Sequence, residues 1–337
     1  MIKEFVHTTS KMLLAGGILV LSLAVTGCGG GADASNAASG KTDVLRIGAQ
    51  PYPLYADVYV AKEKGYLDEE LKKVGAKYEW KDFKSGPLVN EAVASGHEDI
   101  GFMADMPAIL AKSSGQDIKI IDDVAYGEKG LALIVKPDSS IKTVADLKGK
   151  KVAYMKGSYS QHLMSLLLKQ AGLSFDDIQA VNIAAGDVPA ALENGQIDAS
   201  VIWEQFISQL VLQDKARVVA DGTGLKRGNL VTYAVADYAE AHPDVIAAYI
   251  KACQRGGAYI KENPADAAKL ISKDLKTEPE VLESVFRNMH YDSALTAADV
   301  AEIKKVKDYL LQEHMIDKDI DMDAFIDLSY LQKAGIQ

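Results

Sequence analysis

The sequence predicts an α/β protein of two similarly built lobes, each a mixed, mostly parallel sheet flanked by helices, joined by a two-strand hinge. Three observations predict it. Short apolar or alternating strands take turns with helical stretches from residue 44 to about 236, the pattern of a sheet covered on both faces. The segment VNEAVASGHEDIGFMAD from Val89 lies over VPAALENGQIDASVIWE from Val188 without a gap, at a shift of 99 residues. That repeat matches Ala92 with Ala191, Gly96 with Gly195, Asp99 with Asp198 and Asp105 with Glu204. Finally, apolar strands near 131–136 and 231–236 bracket the second copy, so a lobe inserted between them hangs on two linkers, which is the geometry of a hinge. The expected division is 43–133 with 235–337 for the first lobe and 134–234 for the second.

Before the fold comes a leader. Lys3 and Lys11 precede an uncharged run over 12–27, too short for a comfortable membrane span and ending in small residues, as an export signal does. Val25-Thr26-Gly27-Cys28 closes it and resembles a lipobox, where bacterial lipoproteins are cleaved and the cysteine lipidated. Residues 1–27 are therefore expected to be removed, and residues 28–42, small and polar with nothing to bury, to tether the domain to a lipid on Cys28.

Leu45, Ile47 and Ala49 alternate as a first strand, stopped at Gln50-Pro51-Tyr52-Pro53. Helices follow over 56–64 and 67–74, closed by Gly65 and Gly75, and a strand over 78–83. Ser85-Gly86-Pro87 then opens a helix, with Pro87 expected at the first helical position, where its missing N–H costs nothing. A tight turn at Gly96 leads to the next strand, and Asp105-Met106-Pro107 opens another helix. Two helix starts above the carboxyl ends of parallel strands make an anion site from backbone N–H groups and partial positive charge, with no basic side chain required.

A strand over 118–121, the loop Tyr126-Gly127-Glu128-Lys129-Gly130 and a strand over 131–135 stopped by Pro137 come next. Residues 144–150 read as a short helix and 152–155 as a strand. Ser158 is a plausible N-cap for a helix reaching Gln170, with Leu163, Leu166 and Leu167 on its buried stripe. In this lobe the helix starts lie at Gly157 and Gly186. After the strand at 231–236 the chain is helical: 244–261, a helix opened by Pro264, one capped by the box Thr277-Glu278-Pro279-Glu280, and 297–313.

The 337-residue chain carries a net charge of −10, which argues against nucleic acid as a partner. An acidic total still permits a locally electropositive site. With Cys28 lipidated, Cys253 has no partner, so no disulfide is expected and Cys253 reads as a small apolar filler. The six histidines lack metal-ligand spacing, no G-x-G-x-x-G follows a strand, and Ser158, Ser160 and His162 have no third group to orient the histidine. Neither metal, cofactor nor catalytic residue is expected, and the protein is expected to be a monomer.

Taken together, Ser85-Gly86-Pro87, 96–107, 144–153, Lys156-Gly157-Ser158 and Val201-Ile202-Trp203-Glu204 resemble substrate-binding proteins of bacterial ABC importers. Within them they are similar to the aliphatic sulfonate, taurine and nitrate binders. The resemblance runs from about Val44 to about Lys261. It implies a periplasmic-binding-protein fold of type II-like build that closes over a small organic anion and delivers it to a membrane permease. Carried over by position, the anion contacts fall on Ser85, Gly86, Asp105 through its backbone, Met106, Gly157 and Ser158, and the opposite wall on Tyr52, Tyr126, His162 and Trp203. Members often carry Asp-Pro after the tryptophan, whereas this chain has Glu204-Gln205.

Alternatives stay open at this level. Trp203 is a ligand platform or a core aromatic. Asp105 and Glu204 hold a ligand ammonium or cap the following helices. His162 donates to an anion or is buried against a neighbouring helix. The ligand is an alkanesulfonate or taurine, with nitrate or a heteroaromatic thiamine-precursor-like compound as the other reading, and an enzyme on the same fold as the rival class.

Overall fold

A computed structural model describes residues 43–336, so the signal, the tether and Cys28 lie outside the described residues. Ten strands form two five-stranded sheets. The first has the order β2-β1-β3-β10-β4, from Ala76–Asp82 (β2), Asp43–Ala49 (β1), Ile100–Ala104 (β3), Leu230–Val235 (β10) and Ile118–Ala125 (β4). The second has the order β7-β6-β8-β5-β9, from Gln179–Asn182 (β7), Lys151–Tyr154 (β6), Ala199–Trp203 (β8), Leu131–Val135 (β5) and Arg217–Asp221 (β9). In each sheet one strand, β10 or β5, runs against the rest. Both sheets are therefore mixed and mostly parallel, as expected.

The first lobe carries helices α1 (Ala56–Glu63), α2 (Tyr66–Lys73), α3 (Gly86–Ala94) and α4 (Asp105–Ser113). The second carries α5 (Tyr159–Gln170), α6 (Val188–Glu193) and α7 (Phe206–Leu212). The remaining chain adds α8 (Ala236–Ala241), α9 (Pro243–Glu262), α10 (Pro264–Leu275), α11 (Pro279–Asn288), α12 (Ala297–Gln312), α13 (Met322–Phe325) and α14 (Ser329–Ala334). Of these, α9 packs on α1 and α2 and α12 packs on α4 of the first lobe, while α11 reaches the second lobe at α7 and α12 reaches it through Tyr309, against the α5 residue His162.

The repeat is a repeat in space. β3 and β8 are offset by the same 99 residues, and each lies between a parallel neighbour and the antiparallel strand of its sheet. Gly96 and Gly195, at φ 74° and 68°, turn the chain through the left-handed region that a side chain resists. Asp99 then accepts the Arg46 N–H at 2.8 Å, and Asp198 accepts the Lys151 N–H at 2.8 Å. In both lobes an aspartate thus satisfies a donor near the start of the neighbouring parallel strand. Asp99 goes further, because the Arg46 guanidinium also grips it.

Several expectations shift. The antiparallel strands do not span the hinge: β5 lies wholly in the second sheet and β10 wholly in the first, so the chain crosses at 126–130 and 222–229. These crossings run side by side, with the Gly127 N–H on Arg227 O at 3.0 Å and the Gly222 N–H on Glu128 O at 2.8 Å. Pro87 is the second helical residue, since α3 begins at Gly86 behind the N-cap Ser85. Leu166 is only half-buried, and Leu163, Met164, Leu167 and Leu168 fill the stripe. No box forms at Thr277, whose hydroxyl donates to Leu275 O at 2.9 Å, because Pro279 fixes the start of α11 two residues later. Residues 144–147 are 3-10 helix behind a Thr143/Asp146 box. Cys253 is buried on α9, the filler role expected of it.

Replacing Asp99 by Ala removes an acceptor held by both backbone and guanidinium and is expected to cost about 1–3 kcal/mol, against about 0.5–1.5 kcal/mol for Asp198→Ala at its exposed site. Urea unfolding of the two variants beside the parent measures the difference, and equal losses would contradict the asymmetry.

Candidate functional site

The carboxyl ends of β1, β2 and β3 deliver Tyr52, Ser85-Gly86 and Asp105 to one edge of the first sheet. Those of β6 and β8 deliver Gly157-Ser158-Tyr159 and Trp203-Glu204 to one edge of the second. The two edges face each other. A Cβ on Gly157 would stand 3.8 Å from Leu110 of α4, and the Tyr159 hydroxyl is held well above its usual pKa by burial, reinforced by Tyr55, Asp105 and Glu204.

Within this cleft the expected donors divide into free and spent. At α3, Ser85 is extended (φ −161°, ψ 157°) and makes no side-chain cap bond, and no acceptor among the described residues takes the Gly86 N–H. This helix start is open. At α4 it is not. The Asp105 N–H donates to Asn229 O at 3.1 Å, and the Met106 N–H to Asp105 Oδ1 at 2.7 Å, so the backbone contacts expected of both residues are already made inside the protein.

The second lobe shows the same closure. The Gly157 N–H is taken by Gln161 Oε1 at 2.8 Å, and the Ser158 hydroxyl caps α5 through Ser160 while donating to Met155 O at 2.7 Å. Gly186 is exposed ahead of the short α6. What remains there is Tyr159, buried, with no hydrogen-bond partner for its hydroxyl among the described residues and its ring 5.6 Å from that of Trp203. Trp203 is half-buried and packs on Phe206 as well, so it serves core and cleft together.

Both acids of the repeat turn out to be caps that reach across the structure. Asp105 and Lys226 are 0% exposed and pair at 2.7 Å. Lys226 comes from the second crossing segment, so this pair joins the hinge to α4. Glu204 accepts the Ser208 N–H at 3.0 Å and the Ser208 hydroxyl at 2.9 Å, and Asn288 of α11 donates to it at 2.6 Å. Burial raises its pKa, and the three donors act against that rise. Both oxygens of each carboxylate already accept hydrogen bonds within the protein, Asp105 from Met106 and Lys226 and Glu204 from Ser208 and Asn288.

Two expected wall residues make their contacts inside the protein. Tyr126 directly follows the carboxyl end of β4, at the start of the first crossing segment, and stacks on His290 with ring centroids 5.0 Å apart. His162 is buried against Tyr309 of α12 at 4.5 Å. Burial, with Lys226 nearby, lowers its pKa to about 2, so it stays neutral and offers an anion no charge. Tyr52 is at the cleft, its hydroxyl on Lys84 O at 3.4 Å. Among the described residues no group of three or more His, Cys, Asp or Glu side chains gathers to hold a metal ion, and no helix is long and apolar enough to cross a membrane.

Against known proteins, a family model described as "NMT1/THI5 like" matches residues 53–267, which is most of both sheets. The chain belongs to this family. A putative aliphatic sulfonates-binding protein of Escherichia coli is 32% identical over 81% of this chain and 81% of its own length. One from Bacillus subtilis is 30% identical over 94% and 96%. The solved alkanesulfonate-binding protein of Xanthomonas axonopodis pv. citri, bound to MOPS, superposes with a TM-score of 0.76 at 26% identity, covering 85% of this chain and 98% of that one.

Sequence reasoning on this NMT1/THI5-like chain missed Tyr159 and Lys226. Tyr159 directly follows the N-cap Ser158, which was a usable signal, because a residue at the first helical position stands beside whatever the helix start faces. Lys226 gave none, being one lysine in an ordinary loop.

Lys226→Met leaves the Asp105 charge buried without its partner and is expected to cost about 3–5 kcal/mol, most of it recovered in Lys226→Met/Asp105→Leu. Denaturant melts of both test the pairing. For His162 the folded pKa lies below the unfolded value of about 6.5, so the unfolded chain takes the proton first. Its contribution is complete above that value and is lost as pH falls. His162→Phe is therefore expected to lose less stability between pH 7 and pH 5 than the parent does.

Proposed function

We propose that this chain is the extracytoplasmic substrate-binding component of an ABC importer, which closes its two lobes over a small alkanesulfonate and delivers it to a membrane permease. The observation that carries the reading is the open start of α3. A sulfonate has three oxygens and no proton to give near neutral pH, so it needs donors and is repelled by acceptors. Ser85 and Gly86 supply a hydroxyl and a backbone N–H at the positive end of a helix dipole, both uncommitted among the described residues. The Tyr159 hydroxyl, protonated and without a partner among the described residues, is the donor from the facing lobe. The organic end lies against Trp203, Tyr159 and Tyr52.

The same geometry favours a plain alkanesulfonate over taurine. Taurine brings an ammonium, and the two acids near the cleft are already matched by Lys226 and by Ser208 and Asn288. Burying an ammonium without a free acceptor is costly. The relatives support the sulfonate class, since two are named for aliphatic sulfonates and a third was solved with a sulfonate buffer. The protein acts as a carrier without turnover, so ligand recovered from it is chemically unchanged.

We further place the protein on the outer face of the cell membrane, held by lipid on Cys28 after removal of residues 1–27. We take the lobes as 43–125 with 230–336 and as 131–221, a reading supported by each sheet drawing its strands from one of these spans.

A thermal-shift series with ethanesulfonate, butanesulfonate, taurine, nitrate and sulfate tests the class, because a ligand raises the melting temperature according to its concentration over its dissociation constant. The alkanesulfonates are expected to shift the midpoint most, and a larger shift with taurine would overturn the assignment of the acids. Gly86→Pro removes one N–H at a helix start where the extended Ser85 accepts a following proline, and is expected to weaken alkanesulfonate binding by about 10–100-fold. Titration calorimetry reads the change, and an unaltered affinity would remove α3 from the site.

A further inference from the structure

Around Tyr126 and His290, two adjoining cavities of about 490 and 520 Å³ open along the crossing segments and share Tyr126, Arg287 and His290 as their common wall. We infer that these cavities form a second ligand site, for an organic anion with an aromatic or bulky apolar body. The smaller cavity gathers Lys129, Arg227 and Arg287 with His290, opposed by Glu128 alone among its acids. On a chain of net charge −10 such a cluster runs against the overall field, and it persists because its cations come from three separate segments that the fold brings together.

Two of these cations are unengaged: among the described residues neither Lys129 nor Arg287 has an ion-pair partner within reach, while Arg227 spends only its Nε on Asp299. The Arg227 guanidinium lies 3.8 Å from the centre of the Tyr126 ring, whose other neighbour is the His290 ring at 5.0 Å and 28°. That stack presents a flat, cation-backed wall between the cavities. The larger cavity is walled by Ile260, Phe286, Met289 and Tyr291, and it also carries Glu283 and Asp292. The anionic head therefore belongs in the smaller cavity and the apolar body in the larger, passing the ring stack between them.

A molecule seated this way touches Lys129 on one crossing segment, Arg227 on the other and Arg287 at the end of α11. It would bridge both hinge crossings.

The experiment is fluorescence titration of the full chain with 1-naphthalenesulfonate in the presence of saturating ethanesulfonate, which occupies the cleft. Binding is expected to remain, to weaken about tenfold or more in Lys129→Glu/Arg287→Glu, and to stay unchanged in Lys72→Glu/Lys77→Glu, an equal charge change on exposed residues elsewhere. It should also weaken as salt rises, and inorganic phosphate, which has the head without the body, should compete only feebly. No binding under saturating ethanesulfonate overturns the site, as does an affinity within twofold of the parent in Lys129→Glu/Arg287→Glu. If ethanesulfonate itself fails to bind, the cleft assignment falls and the variant comparison still decides this one.

Discussion

The buried pair between Lys226 and Asp105 is the constraint on which the rest of the site depends. Both side chains are excluded from water, and a lone charge in that position would be expensive, so each requires the other. Lys226 belongs to the second crossing segment and Asp105 to the start of α4, so their contact fixes the hinge against the first lobe. Because Asp105 also accepts the Met106 N–H, the pair closes the α4 helix start and leaves α3 as the open one. The same ammonium, together with burial, keeps His162 neutral. One ion pair thereby decides which helix start keeps its donor free and keeps His162 uncharged.

The internal repeat gives a second view of this economy. Asp99 and Asp198 do the same work in the two lobes, each satisfying a backbone donor of the adjacent parallel strand. Asp105 and Glu204, also equivalent in the repeat, each accept an N–H at the start of the next helix and then meet a partner from a distant segment. Their partners differ in kind. Lys226 is a full charge, whereas Asn288 and Ser208 are neutral donors, so one carboxylate is balanced by an ion pair and the other is only solvated by hydrogen bonds.

Lobe closure must act through contacts of modest strength. The Glu204 bond to Asn288, the Ser208 bond to Ser284 at 2.9 Å and the packing of His162 on Tyr309 all join the second lobe to helices of the first. Each hydrogen bond of this sort is worth about 0.5–1.5 kcal/mol, so together they can hold the lobes without locking them. The paired crossing segments admit no larger residue at the left-handed Gly228 or at the tightly enclosed Gly127 and Gly222.

Much of the architecture was legible along the chain. The strand periodicity, the glycine turns at Gly96 and Gly195 and the gapless repeat located both sheets, because side-chain alternation and left-handed turns are local properties that residue types report directly. Ser85-Gly86 was legible as a helix start for the same reason. What the sequence could not decide was which donors remain free. The Asp105 and Met106 N–H groups look as available as that of Gly86 until Asn229 and the Asp105 carboxylate itself are brought against them. Lys226 lies 121 residues from Asp105, and Asn288 lies 84 from Glu204, separations at which residue types carry no information about pairing. The sequence by itself determined the two-lobed frame and the helix starts that can bind an anion. Only the tertiary structure decided that one of them is open and that both acids are spent, because satisfaction of a hydrogen-bonding group depends on which distant segment folds onto it.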